Sequence, residues 1–464
     1  MKLFCYLMLI IIILHSCSKD SFISSKEASI SFSSDTIRFD TVFTTVGSIT
    51  QSFKIKNDNN ERLLINSIVL TGGQASPFKM NVDGISGTTI NNIEIGAKDS
   101  LYVFVSVTLN SNTNSVAFIV QDSIQVTFNG NQRFVQLETW GKNANFLKEH
   151  VVRGHETWNS KLPYVIVGGL IVDSNAVLTI EKGCKIFMHA NAPIIIDGTL
   201  QVNGERSDSD RVYFQADRLD APYNAFPGSW PGIYFRGSST GSVLNYAIIQ
   251  NAYQGIVAEK LPGAGGYKVV MNQCIINNIY DAGILGVQTS IQATNCLISN
   301  CGKNIQLLYG GNYLFNHCTV ASYSSTYMLH KDPLVAISNN TGQTAPVLVA
   351  DLRAIFRNTI FWSDGGAVED EIPVSKAGAN PFLLQFENCL IKGKTDPANS
   401  ITTNMIRNQE PLFDSIEVSR PFYNFRLKTN SPALNKGVAT PIMLDLDGLQ
   451  RPVGIADIGA YERR

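Results

Sequence analysis

At 464 residues the chain is long enough for two or three domains. A formal net charge of −1, and 16% charged residues against about 25% in an average soluble domain, exclude a nucleic-acid partner held by a basic surface. The 36 glycines, with abundant Asn, Ser and Thr, point to a β-rich, turn-rich protein.

Lys2 supplies a positive n-region, and Leu3 to Leu14 form an apolar stretch of secretory-signal length, short of the roughly 20 residues that a membrane span needs. It ends Leu14-His15-Ser16-Cys17, which resembles a bacterial lipobox, with His15 where that motif carries a small residue. The resemblance implies a lipoprotein signal peptide over residues 1–16, taking Cys5 with it, and a diacylated Cys17 as the new N-terminus. A multiply acylated terminus is a stable anchor. Residues 17–28 read as a Ser-rich tether.

From residue 29 to 145 the text is all β. Leu101, Val103, Val105 and Val107 alternate with Tyr102 and Phe104, and Ile124, Val126 and Phe128 lead into Asn129-Gly130, a hairpin signal. Six or seven such segments predict an Ig-like β-sandwich. The wording Thr36-Ile37-Arg38-Phe39-Asp40-Thr41-Val42-Phe43, then Phe53-Lys54-Ile55-Lys56-Asn57, resembles N-terminal modules of Bacteroidetes lipoproteins. Residues 146–162, with Gly154 and Asn159, read as a connector.

Residues 163–427 repeat one phrase: Asn245-Tyr246-Ala247-Ile248-Ile249, Asn272-Gln273-Cys274-Ile275-Ile276, Asn295-Cys296-Leu297-Ile298, Asn316-His317-Cys318-Thr319-Val320, Asn358-Thr359-Ile360-Phe361, Asn388-Cys389-Leu390-Ile391. Cys274, Cys296 and Cys318 stand 22 residues apart, with Gly255-Ile256, Gly283-Ile284 and Asn304-Ile305 between copies. A fixed period in the twenties with short apolar runs predicts a parallel β-helix of about twelve coils. The cysteines then form an inward column, favoured as reduced, buried thiols although stacked Cα atoms about 4.8 Å apart lie within disulfide reach, and corner asparagines bond along a ladder of their own kind.

The end of the chain, residues 428–464, carries Ser431-Pro432-Ala433-Leu434-Asn435-Lys436-Gly437, Asp445-Leu446-Asp447-Gly448, Arg451-Pro452 and Asp457-Ile458-Gly459-Ala460-Tyr461-Glu462. This resembles the terminal segment of right-handed parallel β-helix repeat proteins of the pectin-lyase-like superfamily. The resemblance implies an all-β chain: an N-terminal Ig-like β-sandwich followed by a right-handed parallel β-helix with a C-terminal cap. The cap is expected to close the last open edge, with Arg451 paired to Asp445, Asp447 and Asp457.

Many proteins of this architecture are polysaccharide lyases or hydrolases, and their parts are not assembled here. There is no Asp-Asp pair, and Gly154-His155-Glu156 lies in the connector. The nearest acidic cluster is Asp208-Ser209-Asp210-Arg211 with Asp217-Arg218 and Asp220; the densest acidic run, Asp364 to Ile372, carries Glu369, Asp370 and Glu371 where the repeat spacing stretches. Asp208, Asp210, Arg218, Glu369, Asp370 and Glu371 are therefore the candidate binding loops, and Asp445, Asp447 and Asp457 are weak metal candidates. The exposed aromatics around Tyr223, Phe226 and Trp230 suit sugar stacking, Trp230 also suiting the core. No cofactor is expected. The expected role is non-catalytic binding or scaffolding at the outer membrane or cell surface, as an accessory subunit of an outer-membrane complex. The partners are the membrane, through the lipid, and a protein or surface glycan. The alternatives are a carbohydrate-active β-helix enzyme and a glycan-binding surface protein.

Overall fold

Period-two alternation builds the first part of the chain. In Ser100–Val107, Leu101, Val103, Val105 and Val107 are buried while Tyr102 and Phe104 face out, stacked on each other at 5.8 Å. Phe118–Phe128 and Asn131–Lys142 pair around Asn129-Gly130, whose positive φ values of 45° and 79° suit a type I′ turn. The computed structural model describes residues 21–43, 47–109, 118–263, 265–342, 346–364 and 368–464; Cys17 and the leader lie outside them.

Two compact units result, divided after Asn143. The first is a β-sandwich of two five-stranded sheets sharing one hydrophobic core. One sheet orders Ile30–Phe32, Gln51–Asn57, Ser100–Val107, Phe78–Val82 and Ile85–Ser86; the other orders Thr36–Phe43, Asn131–Lys142, Phe118–Phe128, Leu63–Leu70 and Thr89–Ile95. Thr36–Phe43 runs parallel to Asn131–Lys142 and the remaining pairs are antiparallel. The sheets hold more strands than the six or seven expected, because Ile30–Phe32 and Ile85–Ser86 are too short to show alternation.

The second unit is a parallel β-helix with three strand rows. Row A runs through Lys185–Met188, Val212–Ala216, Ala247–Gln250, Ile275–Asn277, Leu297–Ser299, Thr319–Ser322, Ile360–Ser363 and Leu390–Ile391 to Ile406–Arg407. Row B includes Ile194–Ile196, Ile233–Phe235 and Ile256–Glu259; row C includes Thr199–Asn203, Ser242–Asn245 and Val269–Asn272. Residues 145–158 correct the expected connector. Asn145–Val152 pairs with Tyr164–Val172, and His155–Trp158 pairs with Val177–Glu181, making a first turn. Gly154 and its neighbours disguised it, since a coil corner uses the same turn residues as a linker. The rod has roughly ten turns rather than twelve, because long excursions consume chain at residues 217–232 and 323–334.

The repeated phrase is one edge of row A. Cys274 and Ile276, Cys296 and Ile298, and Cys318 and Val320 point inward and are fully buried. The residue before each inward position takes the left-handed conformation: Tyr246, Gln273, Asn295, His317, Asn358, Asn388 and Asn404 have φ between 49° and 51°. Asn tolerates this region best among residues with a side chain. Asn272 Nδ2 donates to Asn245 Oδ1 at 2.9 Å, forming one rung of the expected ladder.

The six cysteines among the described residues are free and buried. Burial pushes the Cys184 thiol up to about 11 and those of Cys301 and Cys389 up to about 12. The thiolate is the reactive species, so mapping of iodoacetamide adducts is expected to find none of the six modified until the protein is denatured. A disulfide between Cys274 and Cys296 is the contrary result.

The C-terminal segment also covers a flank of the rod. The hairpin Phe413–Glu417 and Phe422–Leu427, with residues 431–464, buries the outer face of row A at Leu297, Ala321, Ile360 and Leu390. Left-handed corner side chains hold it turn by turn. Asn388 Nδ2 donates to Lys436 O at 2.7 Å, and Asn358 exchanges two 2.8 Å bonds with Val438. His317 Nε2 lies 3.1 Å from Thr440 Oγ1, and Asn295 Nδ2 donates to Leu444 O at 2.6 Å. Desolvation, reinforced by Arg451, pushes His317 well below the ordinary histidine range, so this rung is neutral. Farther along, Arg211 donates to Leu446 O at 2.8 Å.

Inside the segment, buried Arg451 donates to Glu462 at 3.0 Å, to Asn295 Oδ1 at 2.7 Å and to Gly459 O at 2.9 Å. Glu462 therefore replaces the three aspartates expected as its ion-pair partners.

Candidate functional site

Three successive turns from row A into row B bend at an asparagine. Asn251, Asn278 and Asn300 are left-handed, with φ of 62°, 56° and 52°. Asn278 Nδ2 donates to Asn251 Oδ1 at 2.8 Å. The two side chains also grip the excursion 217–232: Asn251 donates to Asn224 O at 2.7 Å and Asn278 to Ala225 O at 2.8 Å. Trp230 ends that excursion as a core residue, 1% exposed, with its indole N–H on Gln250 O at 2.9 Å. Row B then starts at Gly232, φ 127°, where a Cβ would stand 1.9 Å from the Gln254 carbonyl oxygen of the next turn. That contact excludes any side chain.

This scaffold leaves a band of aromatic rings in solvent. Tyr223, Tyr253, Tyr280 and Tyr327 are 41–56% exposed. Tyr223 and Phe226 lie 5.1 Å apart, and Phe226 and Tyr327 4.9 Å. On successive turns, Tyr253 and Tyr280 stack at 5.4 Å and 23°. Gly228 links the two groups, since a Cβ there would lie 3.3 Å from Tyr280 Cβ.

Paired charges flank the rings. Arg218 lies over Tyr223 at 3.9 Å and makes two 2.7 Å bonds to Asp220. Asp281 accepts from Lys303 and from Gln254, each at 3.0 Å. His189 Nδ1 meets Asp217 at 2.7 Å. The Arg218 hydrogen bonds hold Asp220 below the ordinary carboxylate range, outweighing its burial.

The sequence-derived candidates scatter. Asp208 and Asp210 sit before strand Val212–Ala216 and Arg218 after it, which puts roughly 15 Å of strand between them. Asp208 is almost fully exposed, 3.9 Å from Arg211, and Asp210 accepts from Ser207. Glu369 and Asp370 are exposed, whereas residues 365–367 of their loop lie outside the described residues. Glu371 faces inward. It is buried against His330 Nε2 at 2.9 Å, accepts from Ser363 at 2.5 Å and from Leu334 N at 3.2 Å, and so anchors the excursion that carries Tyr327.

Asp445 is buried and accepts from Leu449 N and Glu462 N; Asp457 is buried and accepts from Asn435 N and Arg463 N. Burial raises both above the usual carboxylate range. Asp447 pairs with Arg426 at 2.7 and 2.8 Å. Among the described residues no group of three or more His, Cys, Asp or Glu side chains is arranged to hold a metal ion.

Sequence reasoning missed Tyr253, Tyr280 and Tyr327. For the first two a signal existed, because each follows a left-handed corner asparagine by two residues.

No family model and no curated protein matches this chain. Among solved structures it is similar to a family 123 glycoside hydrolase from Clostridium perfringens, at 8% identity, covering 27% of this chain and 30% of that one, TM-score 0.18. It is also similar to a human PapD-like domain, at 9% identity, covering 28% and 93%, TM-score 0.18. A Porphyromonas gingivalis protein of unknown function matches at 9% identity, covering 27% and 60%, TM-score 0.19. At these TM-scores none of the three carries a functional argument.

Proposed function

We propose that this chain is an exported, lipid-anchored protein of the outer membrane or cell surface, with an Ig-like module and a pectin-lyase-like β-helix of the Bacteroidetes type. It binds a glycan or protein without turning it over. The observation that carries the reading is the exposed aromatic band, preorganised by the corner asparagines, which lowers the cost of ordering side chains on binding. Acid catalysis of glycoside cleavage requires a carboxyl group with a raised pKa. Asp220, beside Tyr223, is shifted the opposite way. A scaffold role within a complex is supported by a second feature, an apolar depression of about 440 Å³ on row B between Pro193, Ile195, Pro231, Tyr234 and Val257.

Cell fractionation with a glycan-turnover assay tests the proposal. The mature protein is expected in the outer-membrane fraction, Cys17→Ala is expected to become soluble, and no product is expected from any glycan. Retention of Cys17→Ala on the membrane would remove the lipid anchor from the proposal. Turnover abolished by Asp217→Asn or Asp220→Asn would make the protein an enzyme.

A further inference from the structure

We infer that the ligand of the aromatic band is a neutral oligosaccharide chain, stacked on Tyr253, Tyr280, Tyr223 and Tyr327 and hydrogen-bonded by the paired polar groups between them. The inference rests on the binding reading above and names its ligand class.

Charge is the first argument. Arg218 stands opposite Asp220, Lys303 opposite Asp281, and His189 opposite Asp217. An acidic polysaccharide or a nucleic acid needs cations to spare, and would have to pull Arg218 and Lys303 from carboxylates already at 2.7 and 3.0 Å. A neutral sugar asks for no such exchange. Each of its hydroxyls donates one hydrogen bond and accepts others, and a row of ion pairs offers donors and acceptors side by side.

Ring geometry is the second. An aromatic face is apolar with a negative quadrupole, so it suits the C–H-lined face of a pyranose. Tyr253 and Tyr280 are near-parallel neighbours on successive turns, and Tyr223, Phe226 and Tyr327, tilted to one another by 57–60°, extend the platform through Gly228. The platform is wider than one ring, which favours a chain of sugars over a monosaccharide.

Rigidity is the third. Tyr253 N donates to Trp230 O at 2.7 Å, Asp281 N to Tyr253 O at 2.8 Å, and the buried His330–Glu371 pair anchors the excursion bearing Tyr327. The backbone that bears the rings is therefore held before the ligand arrives, where row A turns into row B.

Affinity electrophoresis and calorimetry with the mature protein test this, using neutral β- and α-linked hexose and xylose oligomers beside polygalacturonate and alginate. Binding of at least one neutral series is expected. Tyr253→Ala with Tyr280→Ala should weaken it at least tenfold with unchanged melting, and Tyr280→Phe, which keeps the ring, should stay within about threefold. Acidic polymers bound with that same dependence, or a protein partner lost through the same substitutions, would overturn the neutral-glycan inference and leave the binding reading standing. Equal behaviour of wild type and double variant toward every glycan and toward outer-membrane extracts would overturn both.

Discussion

Replacing Arg451 with alanine is expected to destabilise the β-helix unit by about 3–5 kcal/mol, the range for breaking a buried ion pair from one side. Both side chains of the Arg451–Glu462 pair are 1% exposed, so solvent cannot repair the loss. Glu462 would keep bonds from Val453 N and Asp457 N but lose its cation, while Asn295 Oδ1 and Gly459 O would lose donors. Denaturant unfolding measures the magnitude, and hydrogen exchange should show residues 431–464 opening first. The double replacement Arg451→Met with Glu462→Leu should cost less than the sum of the two single charge deletions, since neither member of the pair is left without the other. A single-variant cost under about 1 kcal/mol would mean that the flank segment adds little to the rod.

Phe356→Ala is expected to cost a similar 3–5 kcal/mol, for a different reason. Phe356 is fully buried and stacks at 5.0 Å on both Phe315 and Phe386 in adjacent turns, with Phe361 edge-on at 5.4 Å. In a solenoid each turn rests on its two neighbours, so a cavity at one level removes contacts from three. Neighbouring side chains cannot collapse into it without breaking the register of Leu352–Arg357 with Phe382–Glu387. Phe356→Leu should cost markedly less, which calorimetric melting of the pair of variants resolves.

Much of the architecture was legible because its determinants are local and repeated. Cys274, Cys296 and Cys318 share a spacing, and in the rod they share an inward position. Gly255 and Gly283 recur because a Cβ would meet the carbonyl oxygen of the next turn at 2.4 and 2.7 Å. The outer partners of the flank segment were half legible. Cys296-Leu297-Ile298 is apolar on both faces, which demands a cover on each side, yet nothing local names a cover about 150 residues away; the Asn295–Leu444 bond spans 149.

The candidate site was less legible. Asp208, Asp210 and Arg218 are close in the chain, but one strand carries them to opposite corners. Glu371 looked like part of an exposed acidic loop until its partner His330, 41 residues earlier, placed it indoors. Tyr327 meets Phe226 across about a hundred residues, through an excursion with no periodicity to betray it.

The covering of row A by the chain's end has a temporal consequence. Successive turns can stack as they emerge, since each needs only the turn before it. The bond from Arg211 to Leu446 spans 235 residues, so the outer face of row A stays open until the last residues arrive. The growing rod would then carry one greasy seam, exposed to capture and proteolysis, and sealed from Asn388 back toward Arg211 by a single late closure. Loss of the final thirty-odd residues would therefore be felt first in turns made long before them.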